Sequence, residues 1–310
     1  MKKRTMLSTF LLLFFANYAI ASDIIFSSDI PKIQSDKLQR DLEILESFNF
    51  TKDVSPKLLE IFKTDKLDGQ TASSWLNERV HVIATEKDTA DKNIYVTRRD
   101  VEYPNSNIVP YSADYPVENK ITNLTKESTK VGISYSIMSN LAPGIYRYGK
   151  SVKKIYGMIL KAENNKSYDL FFSSPRLGLL QINEGLFLPG YTLNKNDPNA
   201  LADRIFRLST LFHEARHSDG SGESLGFGHV NCPDGHDYAG DYACDENLNG
   251  PYTVGALMMT ELLKNCAQDC TETESETLKL MILDSANRVL KVTHKGEVSK
   301  NWDDTPEGID

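Results

Sequence analysis

The sequence predicts an α+β protein, in which a mostly antiparallel sheet is preceded by a small helical part and followed by amphipathic helices. Three observations predict it. Apolar residues recur at three- and four-residue steps near both ends of the chain. Strand-like runs bounded by turn residues fill the stretch from 130 to 190. The proportions of 40% hydrophobic and 25% charged residues are those of an ordinary folded chain, not of a disordered or membrane-embedded one.

The first 21 residues read as a signal peptide. Lys2, Lys3 and Arg4 form a basic start, MLSTFLLLFFANYAI is the apolar run, and Ala19-Ile20-Ala21 offers the small-x-small pattern of a cleavage site. No cysteine follows it to carry a lipid. The expectation is export to the periplasm or the medium, cleavage near Ala21 and no membrane anchor. Removing these residues takes away three positive charges and no acids, so the formal charge moves from -8 to -11. That sign argues against a nucleic-acid partner and against an anionic membrane surface, since both need clustered Lys and Arg.

Residues 22–125 form the expected N-terminal helical and mixed region. Leu38, Leu42 and Leu45 share one helical face, Ser55-Pro56 reads as an N-cap and first helical residue before KLLEIFK, and TASSWLNERV continues the helical texture. RVHVIAT and NIYVT are strand-like. A proline-punctuated loop from Pro104 to Pro116 marks the boundary with residues 126–310.

In that second part VGISYSIM, KKIYGMIL, SYDLFFS, LGLLQI and GLFL read as strands, with Asn164-Asn165 and Asn183-Glu184-Gly185 as hairpin turns. Asp197-Pro198 predicts the N-cap and first turn of a helix carrying Leu201, Ile205, Leu208, Phe212 and Ala215 on one face. A loop rich in Gly, Asp and Asn occupies 218–250. Pro251 then restarts a helix through PYTVGALMMTELLKN, and Thr271 to Leu290 forms another, with Leu278, Met281, Ile282 and Val289 on one face.

Cys232, Cys244, Cys266 and Cys270 all lie in the last third. In an exported chain an even count favours disulfides, and local spacing pairs Cys232 with Cys244 and Cys266 with Cys270. A second reading makes His229, Cys232, His236 and Cys244 ligands of a metal ion.

The stretch STLFHEARHSDG, residues 209–220, carries the chemistry. It contains HExxH, and on a helix His213 and His217 fall on one face one turn apart, where one cation can bridge them. Catalytic zinc takes three protein ligands and keeps a position for water, whose pKa it lowers towards about 7. Glu214, next to the first histidine, is placed to take that water's proton and return it to a leaving group.

HEARH on a helix that follows a sheet hairpin resembles the active-site helix of the zincin metallopeptidases. The resemblance covers some twenty residues. It implies that His213 and His217 bind Zn2+, that Glu214 is the catalytic base, and that an edge strand beside the helix, here GLFL at 185–188, holds an extended peptide or protein substrate.

The third ligand is not fixed by this motif. The metzincin pattern HExxHxxGxxH keeps its glycine at Gly220 but meets Glu223 where the third histidine would stand. Other zincins draw the ligand from a histidine in a glycine-rich loop or from a glutamate on a later helix, for which the candidates are His229 and Glu261. His229 is favoured, because imidazole is a common ligand and Gly226 and Gly228 let the backbone approach. Glu223, Glu261, His236 and Asp219 stay open as alternatives.

Arg216 reads as a salt-bridge partner, and Asp219 as an acceptor for a ligand histidine's other N–H. Asp245-x-Asn247-x-Asn249-Gly250 matches the first half of a calcium loop, but Ala256 stands where the bidentate glutamate belongs. Tyr238, Tyr242 and Tyr252 could each supply a transition-state donor or simply pack. The expected function is an exported zinc-dependent hydrolase, a metallopeptidase. The alternative is a non-catalytic exported binding protein with a structural metal site.

Overall fold

The computed structural model describes residues 24–27, 30–50, 53–85, 94–97, 108–110, 138–140, 158–161, 167–170, 178–182, 184–187, 200–219, 227–246, 248–267 and 269–290. Residues 1–21, expected as a signal peptide, lie outside them, as do Gly220, Glu223, the Pro104–Pro116 loop apart from 108–110, the Asn164-Asn165 turn and the Asp197-Pro198 start expected for the HExxH helix. Helices and strands are mixed, as the α+β class requires.

In chain order, β1 (Ile25–Phe26) is followed by helices α1 (Lys32–Leu45), α2 (Pro56–Phe62) and α3 (Gly69–Asn77). Leu38, Leu42 and Leu45 bury the predicted face of α1, and Pro56 occupies the first turn of α2. The start of α3 is capped by Asp68, whose carboxylate accepts from the Thr71 backbone N–H at 2.8 Å. Strands β2 (Val82–Thr85), β3 (Ile94–Thr97), β4 (Ile108–Pro110), β5 (Met138–Asn140), β6 (Met158–Lys161), β7 (Ser167–Leu170) and β8 (Leu179–Ile182) come next. The chain closes with α4 (Leu201–His217), the short strands β9 (Val230–Asn231) and β10 (Tyr242–Cys244), and helices α5 (Pro251–Leu263) and α6 (Glu272–Asn287).

Among the described residues there are two four-stranded sheets, besides the β9–β10 pair. One is antiparallel throughout, in the order β4-β3-β6-β7. The other, β1-β2-β8-β5, is mixed: β2 lies parallel to both β1 and β8, and only β5 runs antiparallel. The antiparallel expectation therefore fails in the sheet beside the HExxH helix. Its buried strands pair with partners far away in sequence, and Leu179–Ile182 is covered along its whole length, as inner parallel strands are. At the start of β8, Gly178 has φ +60, and a Cβ there would sit 2.7 Å from the Arg79 carbonyl oxygen. Glycine is what lets β8 close on β2.

The expected GLFL strand is also corrected. Glu184–Phe187 is a 3-10 turn, with Leu186 buried as part of the core. Glu184 and Gly185, expected in a hairpin turn, lie in that 3-10 turn, and the described neighbours of β8 are β2 and β5. The strand next to α4 at the end of the described sheet is β5.

One core joins the first helices to the last. Phe62 stacks on Trp75 at 4.4 Å between ring centroids, and Phe212 of α4 closes the group at 5.7 Å from Trp75. Arg207 of α4 donates from Nε and Nη2 to the two carboxylate oxygens of Asp41 on α1, at 2.5 and 3.1 Å. Both side chains are buried, so removing either partner would leave an uncompensated charge and cost about 3–5 kcal/mol. These contacts fix α4 in rotation. α5 lies along it, buried on almost every side, and Gly255 brings the two axes close: a Cβ there would stand 3.2 Å from the His213 Cβ. Among the described residues no helix is long and apolar enough to cross a membrane.

Candidate metal centre

α4 begins at Leu201, with Ala200 in the N-cap position, and ends at His217, so the HExxH residues occupy its last turns. His213 and His217 lie with ring centroids 5.2 Å apart. His229, from the segment after the helix, completes a triangle at 5.3 Å from His213 and 4.6 Å from His217. One ligand nitrogen from each of the three lies within 4.8 Å of the others, so the group could hold a metal ion.

Two of the rings are held by an acceptor behind them. His217 Nδ1 donates to the Phe227 carbonyl oxygen, and His229 Nδ1 lies 2.7 Å from Asp245 Oδ1. Both acceptors are oxygens, so each of these two imidazoles carries its proton on Nδ1 and keeps Nε2 for the centre. His213 packs against Gly255 and the Tyr252 ring of α5.

Burial holds His213 and His217 well below the ordinary histidine range, and the neighbouring imidazoles push in the same direction. Both rings are therefore neutral at neutral pH, the state a metal requires. Three imidazoles that bring their ligand nitrogens together form a donor set that fits a divalent transition metal. Glu214 is buried, and its Oε2 lies 3.9 Å from His217 Nε2. Among the described residues no carboxylate or thiol joins the three nitrogens as a fourth ligand.

The other residues singled out in the sequence fall into clear places. Arg216 is a structural cation, as expected: Nη1 donates to Asp219 Oδ2 at 2.7 Å, Nε donates to the Asn249 carbonyl at 2.8 Å, and the guanidinium lies over the Phe227 ring. That stacking helps to hold the Phe227 carbonyl against His217. Asp219 accepts from Arg216 and from Arg79 Nε at 2.9 Å, which corrects its expected role as a histidine acceptor. Two buried guanidinium groups outcompete a neutral imidazole for that carboxylate. Glu261 pairs with Lys264 near the opposite end of α5 and lies outside the histidine group, as does His236.

Asp245 uses both oxygens locally, Oδ1 towards His229 and Oδ2 as acceptor of the Tyr252 N–H at 2.8 Å. Asn247, the next residue of the calcium-loop pattern, lies outside the described residues. Tyr252 packs against His213 at 4.6 Å and His229 at 4.8 Å, while its hydroxyl accepts from Arg288 Nη1 at 2.9 Å. Burial raises the Tyr252 phenol. Tyr238 donates to Asp284 at 2.6 Å, whereas Tyr242 is exposed with its ring 6.4 Å from that of His229.

The cysteines pair as Cys232–Cys244 and Cys266–Cys270. Cys232, His236 and Cys244 lie close enough to suggest a second metal group, but the two sulfurs are bonded to each other. His236 is also engaged, with Nε2 donating to the Asn287 carbonyl at 2.9 Å and Nδ1 accepting from the Tyr238 backbone N–H at 3.0 Å. Sequence reasoning missed the acceptors, above all Asp245. The available signal was its position one residue beyond Cys244, with His229 three residues before Cys232, so that the disulfide brings the two together.

Comparison with protein-family models, with curated proteins and with solved structures gave no match, so function is argued from this geometry alone.

Proposed function

We propose that the protein is an exported zinc-dependent hydrolase, a metallopeptidase resembling the zincins, with His213, His217 and His229 as ligands and Glu214 as general base. The observation that carries the reading is the convergence of three imidazole nitrogens, two of the rings held from behind by an oxygen, beside a buried glutamate. Zinc bound there would polarise a carbonyl and acidify a water molecule. Glu214 takes the proton of the attacking water and delivers it to the departing amine nitrogen. Its burial beside His217 keeps it within reach of both events.

β5 supports the peptide substrate. It is the antiparallel last strand of the described sheet and packs near α4, the position in which a zincin edge strand would pair with extended substrate. The disulfides are compatible with export.

The rival reading, a structural metal in a binding protein, predicts a closed four-ligand site. A Glu214→Gln variant separates the two. The hydrolase should retain its zinc and lose about 10²–10⁴-fold in turnover of a peptide library. Unchanged turnover in that variant, or no turnover in a zinc-loaded parent, would count against the proposed chemistry.

A further inference from the structure

The third ligand differs from the first two in how it is held. His213 and His217 ride on one helix, whose core contacts fix them. His229 lies outside any helix, directly before the two-residue strand β9, and is partly exposed. Its orientation must come from elsewhere.

Asp245 supplies it. The carboxylate is 2% exposed and has two protein donors, the His229 ring and the Tyr252 backbone N–H, at 2.7 and 2.8 Å. The Asp245 backbone is itself clamped: its N–H donates to the Arg288 carbonyl and its carbonyl accepts from Leu290 N–H, both at 2.9 Å. On the other side Cys244 is joined to Cys232, three residues from His229. Asp245 thus links the ligand to the first turn of α5 and to the end of α6.

We propose that Asp245 is a positioning residue for metal binding, which fixes His229 with Nδ1 protonated and Nε2 turned towards His213 and His217. The proposal rests on the reading of those three histidines as ligands. A free imidazole exchanges its ring proton between nitrogens and rotates about χ2. The carboxylate selects one tautomer and one rotation and makes the facing nitrogen a stronger donor. Asparagine cannot replace it fully, because it offers one acceptor where the site has two donors to satisfy.

The test is zinc affinity of the full chain, measured by competition with a chromophoric chelator, together with the visible spectrum of the cobalt(II)-loaded protein. Asp245→Ala should weaken zinc binding by about 10–100-fold and change the cobalt bands. Asp245→Asn should lose less affinity, in the same direction. Parent-like affinity with an unchanged cobalt spectrum in a folded Asp245→Ala protein would overturn the proposal. If that variant does not fold, Asp245→Asn decides, and parent-like affinity there overturns it equally. A lowered unfolding temperature with unchanged affinity would make Asp245 structural only and also sink the idea. A folded parent that takes up no zinc would refute the ligand reading itself, and the proposal would fall with it.

Discussion

Two clusters of metal-ligand residue types lie within one short stretch of this chain, and they are built for different ends. In the first, His217 and His229 each place a proton against an oxygen behind the ring, and all three histidines bring a ring nitrogen to a common centre. In the second, Cys232 and Cys244 are bonded to each other, and His236 has both ring nitrogens in hydrogen bonds. Proximity is similar in the two. What separates them is where the lone pairs go, which marks the first as a candidate centre and the second as a clasp that closes the segment carrying His229 and Asp245.

Breaking the clasp should have the largest effect on this contrast. Replacing Cys232 and Cys244 together by serine should lower the stability of the protein by about 2–5 kcal/mol in urea unfolding and weaken zinc uptake as well. The Cys266–Cys270 bond closes a shorter loop, with a separation of 4 residues against 12, at the end of α5 away from the histidines. Its removal should cost less and leave zinc uptake unchanged. Equal loss of zinc in both double variants would dissolve the distinction.

A smaller effect is expected from pH. Burial and the neighbouring imidazoles hold His213 and His217 below their unfolded value of about 6.5, so the folded chain resists protons that the unfolded chain accepts. The stability this gives the metal-free protein is fully present above pH ~6.5 and declines as the pH falls towards the depressed folded values. Urea midpoints of the metal-free parent at pH 7.5 and 5.5 should therefore differ more than those of His217→Gln. The same difference in both would show that His217 is not held neutral by the fold.

The sequence made the helical half of this arrangement legible. The Leu38, Leu42 and Leu45 face of α1, Pro56 at the start of α2 and Pro251 at the start of α5 depend on local spacing and appear as read. So does the Thr271 start of α6, where a capping box with Glu274 holds the first turn. The disulfide pairing also followed from local spacing. The sheet was less legible, because β2 and β8 meet across about a hundred residues and no local pattern encodes a parallel partner. In the site, HExxH announced two of the three imidazoles, and the glycines around His229 suggested the third. The acceptors behind them were hidden. One is the Phe227 backbone carbonyl, which has no sequence signature, and Asp245 resembled part of a calcium loop until the disulfide brought it opposite His229.

The central claim is that the first cluster binds the metal and the second does not. It is tested most directly by elemental mass spectrometry of the zinc-reconstituted, dialysed full chain beside its His229→Ala and His236→Ala variants. The account predicts about one zinc per chain in the parent, the same in His236→Ala, and loss in His229→Ala. Zinc retained in His229→Ala but lost in His236→Ala, or a folded parent without zinc, would contradict it.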